Sequence, residues 1–324
     1  MNLKELNFID LFAGIGGFHQ ALTHFGAKCV FASEWDKNAA HTYYENYDIK
    51  PFGDITKINE KDIPHHDILC GGFPCQAFSV SGKQKGFDDS RGTLFFDIAR
   101  IVKYHKPKLL FLENVRNFEK HDNGNTLKVV IKTLDNLGYN VKYKVLNASN
   151  FGLPQNRQRI YLVCFRKDII IDEFIFPTPT NERVSLKDIL EKKPEAKIID
   201  RPDIIIKKQF ELKKNIFNEF EVPNKPIQIG IVNKGGQGER IYDPNGHAIT
   251  LSAHGGGVGS KTGLYKVGKT IRKLSTRECA RIQGFGDDFK IVSSQSQAYK
   301  QFGNSVAINV LKNILKRISK TKTL

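Results

Sequence analysis

Asn7-Phe8-Ile9-Asp10-Leu11-Phe12-Ala13-Gly14-Ile15-Gly16-Gly17 carries an apolar strand into a cluster of glycines. Phe18, Ala21, Leu22 and Phe25 follow at helical spacing, and Gly26 supplies a stop. A strand that opens through glycines into a helix lets backbone approach a nucleotide-like ligand. The turn alone is a weak signal, because many folds contain one. It also lacks the dinucleotide pattern, since a G-x-G-x-x-G starting at Gly14 needs a third glycine where His19 stands. Working outward, Lys28 to Glu34, Asp67 to Gly72 and Lys108 to Asn114 read as strands, the last two of the fully buried kind. Another strand is expected just before Asp54. Leu94, Phe95, Ile98, Ile101 and Val102 mark one helix face; Leu127, Val130, Ile131, Leu134 and Leu137 mark another, stopped by Gly138. Tyr139 to Asn147 and Arg159 to Phe165 read as strands that pair antiparallel, and Ser305 to Ile318 as a closing helix. Repeated strand–helix units imply an α/β chain built on a doubly wound, largely parallel sheet covered on both faces.

After Pro177-Thr178-Pro179-Thr180 that rhythm stops. As far as about Lys273 the chain is Lys-rich and irregular, with glycine clusters at Gly235-Gly236-Gln237-Gly238 and Gly255-Gly256-Gly257. A smaller, separate domain is expected there, and 324 residues suffice for one large domain and a small one. Lys and Arg number 50 against 34 Asp and Glu, a net +16 that favours a polyanionic partner. The basic residues crowd the stretch from Lys187 to Lys225, which points to nucleic acid. No apolar run approaches the roughly 20 residues of a membrane helix. Met1-Asn2-Leu3-Lys4-Glu5-Leu6-Asn7 has no apolar segment of the secretory type, so a cytoplasmic protein with no membrane partner is expected. The five cysteines are scattered, without a CxxC pair or a Cys/His cluster, so neither a disulfide framework nor a metal site is expected.

One cysteine stands apart. In Asp67-Ile68-Leu69-Cys70-Gly71-Gly72-Phe73-Pro74-Cys75-Gln76-Ala77-Phe78-Ser79 a strand meets two glycines, and Pro74 then holds Cys75 at a turn. A thiol there is displayed rather than packed, which suits a nucleophile. Glu113 ends the strand Leu109-Leu110-Phe111-Leu112-Glu113-Asn114. Arg157 and Arg159, two apart in Gln155-Asn156-Arg157-Gln158-Arg159, would share a face in an extended strand, one reaching a ligand and the other structural. Glu34 suits ribose hydroxyls, Trp35 an adenine stack and Asp54 an adenine amino group, although a core ring would equally explain Trp35 and a helix N-cap Asp54. In this order after a glycine turn they favour S-adenosylmethionine over NAD.

These motifs make the chain similar, over nearly its whole length, to the bacterial DNA (cytosine-5) methyltransferases. The resemblance rests on the glycine turn, Glu34-Trp35, Asp54-Ile55, Gly72-Phe73-Pro74-Cys75-Gln76, Gly92-Thr93-Leu94-Phe95, Glu113-Asn114-Val115 and Gln155-Asn156-Arg157-Gln158-Arg159. Arg277-Glu278-Cys279-Ala280-Arg281-Ile282-Gln283-Gly284-Phe285 and Gln301-Phe302-Gly303-Asn304-Ser305-Val306 complete the set. It implies a Rossmann-like S-adenosylmethionine-dependent methyltransferase fold, with a catalytic domain at 1–187 plus 302–324, an irregular β-rich target-recognition domain at 188–272 and a hinge at 273–301. By the same resemblance Cys75 attacks C6 of a flipped-out cytosine in double-stranded DNA, Glu113 meets N3 and Arg159 meets O2, with Arg157 beside them. Donation to N3 requires a protonated Glu113, so burial should raise its pKa. Phe12, Gly14, Gly16, Glu34, Trp35, Asp54, Ile55, Pro74, Leu94, Asn304 and Ser305 would line the S-adenosylmethionine pocket, leaving S-adenosylhomocysteine as product. No metal is implied.

The recognition region looks like that of a family member that methylates the inner cytosine of GCGC. Ser81 and Gln237 would then fill the gap left by the flipped base, Arg240 would read guanine, and Thr250 and Gly257 would touch DNA. The loop from Ser79 to Arg91 would close over the base. Ile198 to Asn224 is less similar, and His254 stands where a tyrosine is expected, which bears on exact specificity. The resemblance further implies a monomeric bacterial enzyme at the nucleoid, acting on the same site as a restriction endonuclease without a stable complex. A tRNA cytosine methyltransferase is disfavoured by the long basic region, an oxidoreductase by the missing glycine, and a silent relative by intact Cys75, Glu113 and Arg159.

Overall fold

The computed structural model describes residues 1–74, 94–180, 182–207, 210–212 and 222–322. By packing, the chain forms two compact units: Met1–Leu146 with Gln158–Pro177 and Leu311–Leu324, and Asn147–Arg157 with Thr178–Val310.

The first unit is built on β1 (Asn7–Leu11), β2 (Lys28–Ser33), β3 (Ile68–Gly72), β4 (Leu109–Val115), β5 (Tyr139–Asn147) and β6 (Gln158–Arg166). Their order across the sheet is β2-β1-β3-β4-β6-β5. β1 pairs in parallel with both β2 and β3, and β3 with β4, whereas β6 runs antiparallel to β4. Between the strands come α1 (Gly17–Thr23), α2 (Lys37–Tyr47), α3 (Leu94–His105) and α4 (Asn125–Asn136). Ile98, Val102, Val130 and Leu134 of the helices pack with Ile9, Leu69, Leu110 and Leu162 of the sheet in one core. Each such side chain contributes about 1.5–3 kcal/mol through burial. The strand order reverses at β1, with β2 on one side and β3 on the other. An open parallel sheet binds ligands at such a point, outside the carboxyl ends of its strands.

Two expectations change in detail. The strand before Asp54 shrinks to a single bridge, Ser33 with Phe52. Phe52 donates to the Ala32 carbonyl at 2.8 Å and accepts from Glu34 at 2.9 Å, but neighbouring Pro51 has no N–H to extend the ladder. The closing helix starts later than expected: α6 (Gln295–Asn304) ends at an extended Ser305, and α7 (Ile308–Lys320) begins three residues on. Val310, Leu311, Ile314, Leu315 and Ile318 form the buried face of α7, as their spacing predicts.

The second unit carries a five-stranded sheet ordered β11-β10-β9-β8-β7, from β7 (Ile205–Ile206), β8 (Ile227–Ile231), β9 (Arg240–Asp243), β10 (Leu264–Val267) and β11 (Thr270–Arg272). Ile199, Ile229, Val232, Ile241 and Leu264 form its core. The two glycine clusters pack backbone against backbone. Gly259 donates to the Gly238 carbonyl at 2.7 Å, and Gly238, at φ +79°, leaves no room for a Cβ against the Gly256 carbonyl. After the sheet, Ser275 and Glu278 form a capping box for α5 (Thr276–Gln283). Glu278 also takes both arms of the Arg272 guanidinium, at 2.7 and 2.8 Å. Among the described residues no helix is long and apolar enough to cross a membrane.

Candidate active site

The glycine turn leaves β1 in left-handed backbone. Phe12, Gly14 and Gly16 have φ of 54°, 56° and 85°, and Gly16 caps α1. Gly14 donates its N–H to one oxygen of Glu34 at 2.8 Å, and Asp36 donates to the other at 2.8 Å. Glu34 therefore ties the ends of β1 and β2 together while each oxygen keeps a lone pair for a ligand hydroxyl. Burial raises its pKa, against those two backbone donors. Trp35 stands 78% exposed beside it. Asp54 caps the turn Ile55–Lys57, one oxygen accepting from the Thr56 hydroxyl at 2.8 Å and its N–H at 3.1 Å, and these bonds lower its pKa. Ile55 is buried, Leu94 and Phe12 are half-buried, and Pro74 is exposed. A backbone cradle with an acid and an exposed indole fits an adenine nucleoside.

The support beneath the turn was not legible in the sequence. The Tyr47 hydroxyl donates to the carbonyls of Ile15 and Gly16, both at 3.1 Å. Its ring stacks on His19 at 4.0 Å, and His19 in turn bonds the Tyr43 hydroxyl at 2.7 Å. Burial lowers the His19 pKa to about 4. Asp10 is buried beside them with one oxygen unpartnered among the described residues, and desolvation pushes its pKa well up. Buried polar residues at α1 and α2 spacing are the signal that was available.

The candidate chemistry lies at the ends of β3 and β4. Gly72 and Glu113 are partners in the parallel register, so the chain leaves β3 for Phe73-Pro74 at the level of Glu113. Glu113 is 7% exposed. The Arg159 Nε lies 3.1 Å from its Oε1, and another Arg159 nitrogen donates to the Gln158 carbonyl at 2.8 Å. The expected burial is present, and a paired arginine accompanies it. Asn114, not singled out from sequence, donates to the Phe73 carbonyl at 2.9 Å and accepts from Val115 N–H at 2.8 Å. It thereby holds the backbone one residue before Pro74. Cys75 and Ser81, with the expected closing loop, lie outside the described residues.

In the second unit Arg157 does not continue the strand that carries Arg159. Its N–H donates to the Gln155 carbonyl at 3.0 Å, a turn that precedes β6, and the buried guanidinium points to the carbonyls of Leu251, Gly303 and Ser305. The alternation that would have put both arginines on one face had not begun. Asn304 is exposed, whereas the Ser305 hydroxyl is buried and unpartnered among the described residues. Gln237, Arg240, Thr250 and Gly257 are all exposed. The Arg240 Nε approaches the Gly235 carbonyl at 3.4 Å, and the Thr250 hydroxyl bonds the Asn156 carbonyl.

Residues 6–320 match the family described as C-5 cytosine-specific DNA methylase. The chain is 57% identical over 315 residues to the type II methyltransferase M.HhaI of Haemophilus parahaemolyticus, covering 96% of this chain and 94% of that one. It is 44% identical to the type II methyltransferase M.HpaII of Haemophilus parainfluenzae, covering 98% and 90%. Its fold is shared with the S. pombe Dnmt2 methyltransferase, at a TM-score of 0.70 and 20% identity over 98% of both chains.

Proposed function

The chain belongs to the C-5 cytosine-specific DNA methylase family, and from that premise we propose that it methylates the inner cytosine of GCGC in duplex DNA. Its reaction is that of a DNA (cytosine-5)-methyltransferase. The observation that supports the catalytic reading is the register that pairs Gly72, two residues before Pro74, with Glu113.

The proposed roles follow from the chemistry of cytosine, whose C5 is a poor nucleophile. The Cys75 thiolate adds to C6, and the displaced electrons make C5 enamine-like. Glu113 donates to N3, and Arg159 stabilises O2 as charge gathers there. When bound, S-adenosylmethionine would supply the methyl group of its sulfonium to C5, leaving S-adenosylhomocysteine. Loss of the C5 proton to solvent would then expel the Cys75 thiolate and restore the aromatic ring. Asn114 fixes the backbone leading to Pro74, so it acts by positioning. Phe12, Gly14, Gly16, Glu34, Trp35, Asp54, Ile55, Pro74 and Leu94 hold the cofactor, with Asn304 and Ser305. The left-handed turn and the exposed indole support that assignment.

The target base must leave the stack, at a cost of a few kcal/mol. Ser81 and Gln237 take its place, Arg240 reads guanine, and Thr250 and Gly257 contact the duplex. The likeness to M.HhaI supports that specificity. In this reading residues 188–272 recognise the target, 273–301 act as hinge, and the rest is catalytic. The protein works as a cytoplasmic monomer, needs no metal, and modifies the site that a separate endonuclease cleaves. Methyl transfer from labelled S-adenosylmethionine to unmethylated DNA, mapped by bisulfite sequencing, tests this. Protection confined to the inner cytosine of GCGC is expected. Methylation in another context would discard the roles of Gln237 and Arg240, and transfer to tRNA alone would discard duplex DNA as substrate.

A further inference from the structure

Arg157 is 2% exposed, and its side chain grips three backbone carbonyls. One nitrogen donates to Leu251 at 3.1 Å; another donates to Gly303 at 3.0 Å and to Ser305 at 2.5 Å. Gly303 and Ser305 are the buried neighbours of exposed Asn304, and Leu251 is the buried neighbour of exposed Thr250. One guanidinium thus clamps the backbone on both sides of a residue proposed for the cofactor, and next to one proposed for DNA.

The clamp is reinforced from independent directions. Gln155, fully buried, accepts from the Leu251 N–H at 3.1 Å and donates to Gln283 at 3.4 Å. Gln283, also fully buried, donates to the Phe302 carbonyl at 2.6 Å. Gly303 packs so closely that a Cβ there would overlap the Ser252–Ala253 peptide. The stretches 250–253 and 302–305 are therefore joined backbone to backbone, with side chains from 155–157 as the fastening. A displacement of either stretch is felt by the other, because the guanidinium fork is planar and rigid and its bonds are buried.

We infer that Arg157 is a positioning residue that couples the two substrates, so that filling the cofactor site and engaging the cognate duplex each tighten the other. This rests on the functional reading of Asn304 and Thr250 given above. Arg157 orders both stretches at once, so either ligand meets part of its ordering cost when the other is already bound. The coupling must be equal in both directions.

Trp35, the only tryptophan and 78% exposed, gives a fluorescence readout of S-adenosylhomocysteine binding in the whole enzyme. Its Kd is measured free and in the presence of saturating unmethylated GCGC duplex, and the ratio of the two is the coupling. The parent should show a ratio of roughly tenfold or more. Arg157→Lys keeps the charge but loses the fork, and its ratio should fall below about threefold. A purely structural loss would weaken both Kd values together and leave the ratio as in the parent, which overturns the inference. Should Arg157→Lys not fold, Gln283→Met removes the separate bond to Phe302 and must lower the ratio as well; a parental ratio there is equally fatal. A parent that binds both ligands with a ratio near one sinks the coupling alone. A parent that binds neither sinks the functional reading.

Discussion

Cys75, Glu113 and Arg159 divide the proposed chemistry between a thiolate and two groups at the base edge. Cys75→Ser should abolish methyl transfer yet retain cofactor-dependent duplex binding, measured by gel shift; loss of binding along with activity would contradict a chemical role. Away from the site, His66 sets a pH limit. It is 1% exposed, bonds the Pro64 carbonyl at 2.8 Å, and has its pKa lowered to about 4, chiefly by burial. Unfolded histidine titrates near 6.5, so between those values only the unfolded chain takes up this proton. Its share of stability is complete above about pH 6.5 and drains away as the pH falls toward 4. His66→Phe should therefore flatten the acid side of the stability curve by at most about 3 kcal/mol. Denaturant melts at pH 7 and pH 4.5 that lose equal stability in parent and variant would rule this out.

Among the elements, the parallel pairing of β1 and β3 governs the cofactor end. Leu11 faces Gly71 in register, and a Cβ on Gly71 would stand 2.6 Å from the Leu11 carbonyl oxygen. Gly71→Ala should push the end of β1 outward, together with the turn it carries. A cost of about 1–3 kcal/mol in stability is expected from the overpacking, with S-adenosylhomocysteine binding weakened about tenfold. Unchanged affinity in calorimetry would show that the turn is held from below by Tyr47 alone. Most of these elements were legible, since buried parallel strands are continuous apolar runs and α3, α4 and α7 show clean helical periodicity. The reduction of the strand before Asp54 to a bridge at Phe52 was not, because two backbone hydrogen bonds decide it.

The whole molecule carries a net charge of +16. Duplex binding should accordingly release many counterions. Raising salt from about 50 to about 200 mM should weaken it at least about 100-fold, with a linear log–log slope. A flat response in fluorescence polarisation would mean that the excess charge is not turned toward DNA. The glycine clusters belong to this scale too. Gly235–Gly238 and Gly255–Gly257 stand apart in the sequence as two glycine clusters, and they meet in one close backbone contact beside exposed Gln237.

The sequence by itself determined the doubly wound sheet and the family, and it supplied the proposed reacting groups, because hydrophobic period and motif spacing are local features of the chain. Tertiary structure alone decided how those groups are held. Asn114 on the Phe73 carbonyl, Tyr47 under the glycine turn and Arg157 across residues 251, 303 and 305 each join positions remote in the chain. Buried polar side chains take whatever partner the packing delivers, and no periodicity encodes which carbonyl that will be.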